Sequence, residues 1–252
     1  MKYLKLEFVK NRIPTLVILT FFFLAINFTW CSYGLRTASE TELQWGWMML
    51  LYQMPILNAI LAPSFVAVIA SRIADVEHKG EALKLLYTLQ SRSSLYHAKI
   101  FLGLLFCFLL SIGQMAVTIF TGMTFQFKHA IPFDTIGLYF FFSFLVTFAS
   151  YILQLNLSLF IHNQMVSLCI GITGSFCGLF LMFLYQYPIL QHVVLWTNYV
   201  TLTLCIMSDY DEKTRYIAYT WRTVNYWGLL AITIWTVLLY LVGRHLLAKE
   251  EV

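Results

Sequence analysis

Polar and apolar positions are segregated along this chain to an unusual degree. All 28 Lys, Arg, Asp and Glu residues lie outside six long uncharged runs, at roughly 13–33, 47–70, 100–122, 136–160, 165–187 and 224–243. Each run is long enough to cross a bilayer as a helix. A charge at the centre of such a helix costs about 3 kcal/mol or more, and only helices or closed barrels satisfy the backbone in hydrocarbon. The pattern predicts an all-α integral membrane protein with six transmembrane helices, in a single domain over residues 1–252. Residues 165–208 carry no formal charge, so 189–207 could be counted as a seventh span. Pro188 and its neighbours would then have to turn the chain alone, and helix connections usually take a few more residues. Gln191, His192, Thr197, Asn198, Thr201 and Thr203 also suit an interface better than lipid. An extracellular re-entrant or interfacial segment before the last span, followed by an acidic turn at Ser208–Glu212, is the preferred reading.

Composition agrees: 60% of residues are hydrophobic and 11% charged, too apolar for a soluble domain of this length. Charge placement adds a direction. With both termini cytoplasmic, 11 of the 16 Lys and Arg fall on the inner side, Lys99 among them. Trp30, Trp45, Trp47, Trp221 and Trp227 then cluster near the outer boundaries. The basic start Met1–Arg12 precedes an apolar run too long for a signal peptide, which reads as an uncleaved first span. The expected location is a bacterial cell membrane.

Enzyme chemistry finds little support. The five cysteines and six histidines have no ligand spacing, and no HExxH or Gly-Lys pair occurs. No metal or cofactor is expected. Ion-coupled transporters use buried ionisable relays, whereas these spans offer the neutral Asn27, Gln53, Asn58, Gln114, Gln154 and Asn156, read first as interhelical hydrogen-bonding groups. In span five, Gly171, Gly174 and Gly178 allow close helix packing, within the subunit in preference to between subunits. Any uphill transport would need energy from a partner.

The loop between spans two and three is the place to seek it. On a helical wheel, Glu77, Glu81, Lys84 and Thr88 form one polar stripe, and Leu83, Leu85, Leu86 and Leu89 lie opposite. The run Arg72-Ile-Ala-Asp75-Val-Glu77-His-Lys-Gly80-Glu81-Ala-Leu-Lys84-Leu-Leu86, followed by Ser91-Arg92, Tyr96 and Lys99, resembles the corresponding loop of ABC-2-type permeases. Where that family usually has Pro after the leucine-rich turn, this chain has Leu89-Gln90. The resemblance implies a transmembrane subunit without a nucleotide site, working with a separate ABC ATPase and a second permease, identical or paralogous. The loop would be a cytoplasmic coupling helix contacting the ATPase through Glu77, Glu81, Leu83, Lys84 and Leu86. In size and aromatic content (17%) the chain is similar to lantibiotic immunity permeases. That implies export of an antimicrobial peptide; an exporter of another amphiphile or drug, or a non-transporting immunity protein, are the alternatives.

Overall fold

The computed structural model describes residues 13–78, 92–161, 163–184, 186–210 and 217–249. In chain order these form α1 (Ile13–Arg36), α2 (Glu40–Gln44), α3 (Gly46–His78), α4 (Arg92–Thr124), α5 (Phe133–Phe160) and α6 (Gln164–Leu181). The short α7 (Pro188–Val193), a 3-10 turn at Leu195–Thr197 and α8 (Asn198–Thr201) follow. A hairpin of β1 (Cys205–Tyr210) and β2 (Ile217–Trp221) leads into α9 (Tyr226–Lys249). Among the described residues six helices, α1, α3, α4, α5, α6 and α9, are long and apolar enough to cross a membrane. The chain is an all-α integral membrane protein apart from its one small hairpin.

Two of these helices are central. Within their most apolar windows 61% of α3 and of α5 is buried, against 17% of α1, 28% of α6 and 22% of α9. The outer helices turn Phe21, Phe22, Phe176, Phe180, Ile234 and Leu241 outward, where lipid rather than water receives them. Helices α3 and α4 have 33 residues each, about 50 Å at 1.5 Å per residue. A hydrocarbon core is about 30 Å thick, so both project well beyond it. They reach further than the expected 47–70 and 100–122, mostly toward residues 79–91. Pro55 and Pro63 stay inside α3, as prolines do where neighbouring helices cover the freed backbone groups.

At the opposite end, hereafter the hairpin end, the sequence reading needs two corrections. Span five was expected to run to 187 but stops at Leu181. Beyond it Gln191 Nε2 donates to the carbonyls of Leu181 (2.9 Å) and Met182 (3.3 Å), closing the helix terminus. The expected acidic turn at Ser208–Glu212 begins as strand, since Ser208–Tyr210 belong to β1: Ile206, Met207 and Tyr210 pair with Thr220, Tyr219 and Ile217, with an irregularity between Met207 and Asp209. These β-branched and aromatic positions favour a pleated pair, and Asp211 and Glu212 lie outside the described residues. Tyr219 rests on Tyr52 of α3, ring centroids 5.5 Å apart.

Residues 188–201 form no seventh span; the longest helix among them has six residues. A chain broken inside an apolar bundle must still satisfy its carbonyls. Asn198 does so: its Nδ2 reaches the carbonyls of Val194 (3.1 Å), Leu195 (3.2 Å) and His192 (3.4 Å). The neighbours Leu195, Thr197, Tyr199, Thr201 and Thr203 are buried as well, so the segment enters the bundle rather than lying on it.

Candidate functional site

A neutral polar seam crosses the centre of the bundle. Asn58 of α3 donates to Tyr139 Oη and Ser143 Oγ of α5, both at 3.1 Å. Gln114 of α4 donates to Asn58 Oδ1 and, at 3.3 Å, to Asn27 Oδ1 of α1. One helix turn further along α5, Tyr199 of α8 donates to Thr147 Oγ1 at 3.0 Å. Five elements thus meet through uncharged groups that are all buried. Sequence reasoning named Asn27, Asn58 and Gln114; it missed Tyr139, Ser143, Thr147 and Tyr199, which carry no signal in spans so rich in aromatic and small residues. Gln53 behaves differently, its Oε1 having no partner among the described residues.

The end carrying residues 79–91, the loop end, holds the one buried charge among the described residues. Lys99 was expected in the cytoplasmic segment just before the third span, but α4 begins at Arg92, and two turns later the side chain is enclosed. Its Nζ donates to the Ile73 carbonyl of α3 at 2.7 Å, while Tyr151 Oη of α5 donates to the Lys99 carbonyl at 2.9 Å. Beside it Tyr96 donates to Asn156 Oδ1 (2.9 Å), and Asn156 Nδ2 donates to the Leu239 carbonyl of α9 (2.8 Å). Four helices are tied here, α3, α4, α5 and α9. Glu77 falls in the last turn of α3, whereas Glu81, Leu83, Lys84 and Leu86 lie outside the described residues.

The glycines of α6 sit where other chain elements press close. A Cβ at Gly171 would meet Gln154, Ala67 and the Pro63 carbonyl at 3.0–3.3 Å. With its amide nitrogen toward α6, Gln154 donates to Ser167 Oγ (2.8 Å), and its oxygen accepts from Gly171 N (3.3 Å). At Gly174 a Cβ would run into the Trp196 ring, and at Gly178 it would meet the Trp196 backbone at 2.9 Å. Trp196 therefore lies across the two glycines. Together with Met165, Cys169, Ile170 and Thr173 it lines a groove of about 430 Å³, nearly all apolar. Its buried Nε1 has no acceptor among the described residues.

Two further hollows flank α7. One, about 640 Å³, runs along α9 past Trp227, Leu230, Ile234 and Leu238. The other, about 470 Å³, lies under the hairpin and includes Gln191, Thr201, Thr203 and Arg222. His192 borders the first. Its burial, and secondarily the charge of Arg222, hold its pKa below the ordinary histidine value. Burial pushes the Cys205 thiol up to about 12, which removes it as a nucleophile. No group of three or more metal-ligating side chains occurs among the described residues.

Residues 3–178, from before α1 to Gly178 of α6, match the family model described as ABC-2 family transporter protein. The chain belongs to that family. No curated protein matches it. As an ABC-2 permease it is the multi-pass transmembrane component of an ABC transporter, and the family implies an ABC ATPase as its partner. The matched stretch takes in the segment between α3 and α4.

Proposed function

We propose that this permease is the membrane subunit of an ATP-driven exporter that expels a lantibiotic or a similar antimicrobial peptide, protecting a producing bacterium. Both termini and residues 79–91 face the cytoplasm in this reading. Glu77, Glu81 and Lys84 make polar contacts with a separate ATPase subunit, and Leu83 and Leu86 are the apolar anchors. A second permease, identical or paralogous, completes the pair that the ATPases rock between conformations. The projecting ends of α3 and α4, tied together through Lys99, support a rigid lever at that position.

The observation that carries the cargo assignment is the groove on α6. It is apolar almost throughout and is walled by Trp196, whose buried indole N–H has no acceptor among the described residues. A buried donor without an acceptor costs about 1–3 kcal/mol. An amphipathic peptide arriving from the bilayer brings both apolar side chains and backbone carbonyls to accept that hydrogen. Cells expressing the permease with its ATPase should lose most peptide resistance on Trp196→Phe, which keeps a ring over Gly174 and removes the donor. The double change Glu81→Ala with Leu86→Asp should abolish resistance while leaving membrane insertion intact. Full resistance in the first variant would sink the cargo assignment, and full resistance in the second would sink the docking loop.

A further inference from the structure

The two hollows on either side of α7 have complementary chemistry. The hollow under the hairpin contains the cation Arg222 with the polar side chains of Gln191, Thr201 and Thr203, and no Asp or Glu. Among the described residues the Arg222 guanidinium has no hydrogen-bond or ion-pair partner, although its backbone N–H is fixed to the Leu204 carbonyl at 2.9 Å. It stands between Trp221 and the exposed pair Tyr226 and Trp227, aromatic residues of the kind that mark headgroup depth. Its planar fork of donors matches phosphate oxygens.

The second hollow starts at that same depth. Its walls include Trp227, Leu230, Ile234 and Leu238 of α9, facing Ile189 and Val193 of α7. From Trp227 to Leu238 the helix rises about 16 Å, half of a hydrocarbon core about 30 Å thick. The groove is therefore as deep as one leaflet. Gln191 lines the first hollow and its chain neighbour His192 lines the second, so the two hollows adjoin at α7.

We propose that these hollows together bind one membrane lipid of net negative charge, its phosphate headgroup on Arg222 and an acyl chain in the groove along α9. The assignment goes beyond peptide export and needs neither ATPase nor peptide. A zwitterionic lipid brings an ammonium that finds no carboxylate among the lining residues, so net anionic lipids are preferred.

The test is native mass spectrometry of the full chain, released from detergent with phosphatidylglycerol or phosphatidylcholine of identical acyl chains. Wild type should retain phosphatidylglycerol about fivefold over phosphatidylcholine, the scale of one charge-assisted contact. Arg222→Gln should bring the ratio near one, and Arg222→Lys should restore part of it. Ala231→Phe, which fills the groove, should lower retention of both lipids and leave their ratio unchanged. An unchanged ratio in Arg222→Gln would overturn the headgroup site, and undiminished retention in Ala231→Phe would overturn the acyl groove. Displacement of phosphatidylglycerol by glycerol phosphate or by a peptide carboxylate at equal concentration would overturn the lipid assignment itself. Because peptide resistance is read through Trp196 on the other face of the bundle's broken segment, failure here leaves the export reading untouched, and the reverse also holds.

Discussion

The loop end and the hairpin end meet the same demand, buried polarity, in opposite ways. At the loop end two long helices, α3 and α4, supply the described contacts, and the buried polar group is Lys99, bonded to a backbone carbonyl of α3. At the hairpin end the chain is broken, and a neutral amide, Asn198, gathers the carbonyls that the break exposes. The difference follows from depth. Helices α3 and α4 outrun the hydrocarbon on the loop side, so Lys99, though enclosed by protein, lies near the end of its helix and away from the hydrocarbon centre. Residues 195–204 turn back inside the bundle, where a full charge would be far more costly than an amide. One end is thereby built to be stiff, and the other is held by contacts that reorganise at modest expense.

Glycine substitutions test that contrast most directly. A Cβ at Gly103 of α4 would fall within the ring of Tyr151, which is fully buried and pinned by its hydroxyl to the Lys99 carbonyl. Gly103→Ala should cost about 3 kcal/mol, the upper range for overpacking, read as a lower Tm in detergent and a smaller monodisperse fraction. Gly174→Ala also drives a methyl into a ring, but Trp196 is only half-buried and borders an open groove, so its loss should stay near 1 kcal/mol. Equal losses at the two sites would erase the difference in stiffness. Next in size is Asn198→Leu, which removes the amide bridging the His192, Val194 and Leu195 carbonyls, the latter two keeping only their backbone donors, and should cost about 2 kcal/mol. Protease susceptibility should rise around residues 188–204 and not at the loop end; uniform loosening would mean that the two ends do not behave as separate units.

The same contrast explains what was legible in the sequence. Six spans could be read because excluding charge from hydrocarbon is a strong, local constraint, visible in every run from Ile13 to Gly243. The break after Leu181 was half-visible: Pro188 and the polar residues through Thr203 spoke against a seventh span, but the hairpin was hidden because Cys205–Tyr210 lacks a clean alternation. Lys99 was misplaced for a geometric reason. Nothing local distinguishes a loop lysine from one two turns into a helix, when the helix start depends on residues packed around it. The seam was legible only as a set of amides, since Tyr139 and Ser143 acquire their meaning from facing Asn58 across two helices. Trp196 over Gly174 and Gly178 is likewise a tertiary match between segments about twenty residues apart. The α6 glycines implied a close neighbour without naming it.

The smallest expected effect concerns pH, and it discriminates the ends because the hairpin end contains His192. Burial, the larger cause, and the charge of Arg222 both oppose protonation of this imidazole in the folded chain. Above its ordinary pKa of about 6.5 the group is neutral folded or unfolded and contributes no pH slope. Below that value the unfolded chain takes up a proton that the folded chain resists, so stability falls as pH falls. Tm measured between pH 7.5 and 5.5 should therefore decline in wild type by more than in His192→Gln, where the group is gone. Arg222→Gln, retaining His192, should make the slope shallower without flattening it, because removing the neighbouring charge leaves the burial. A slope that vanishes in Arg222→Gln would make the charge, and not the burial, the dominant cause. A slope that persists unchanged in His192→Gln would assign the titration to another group.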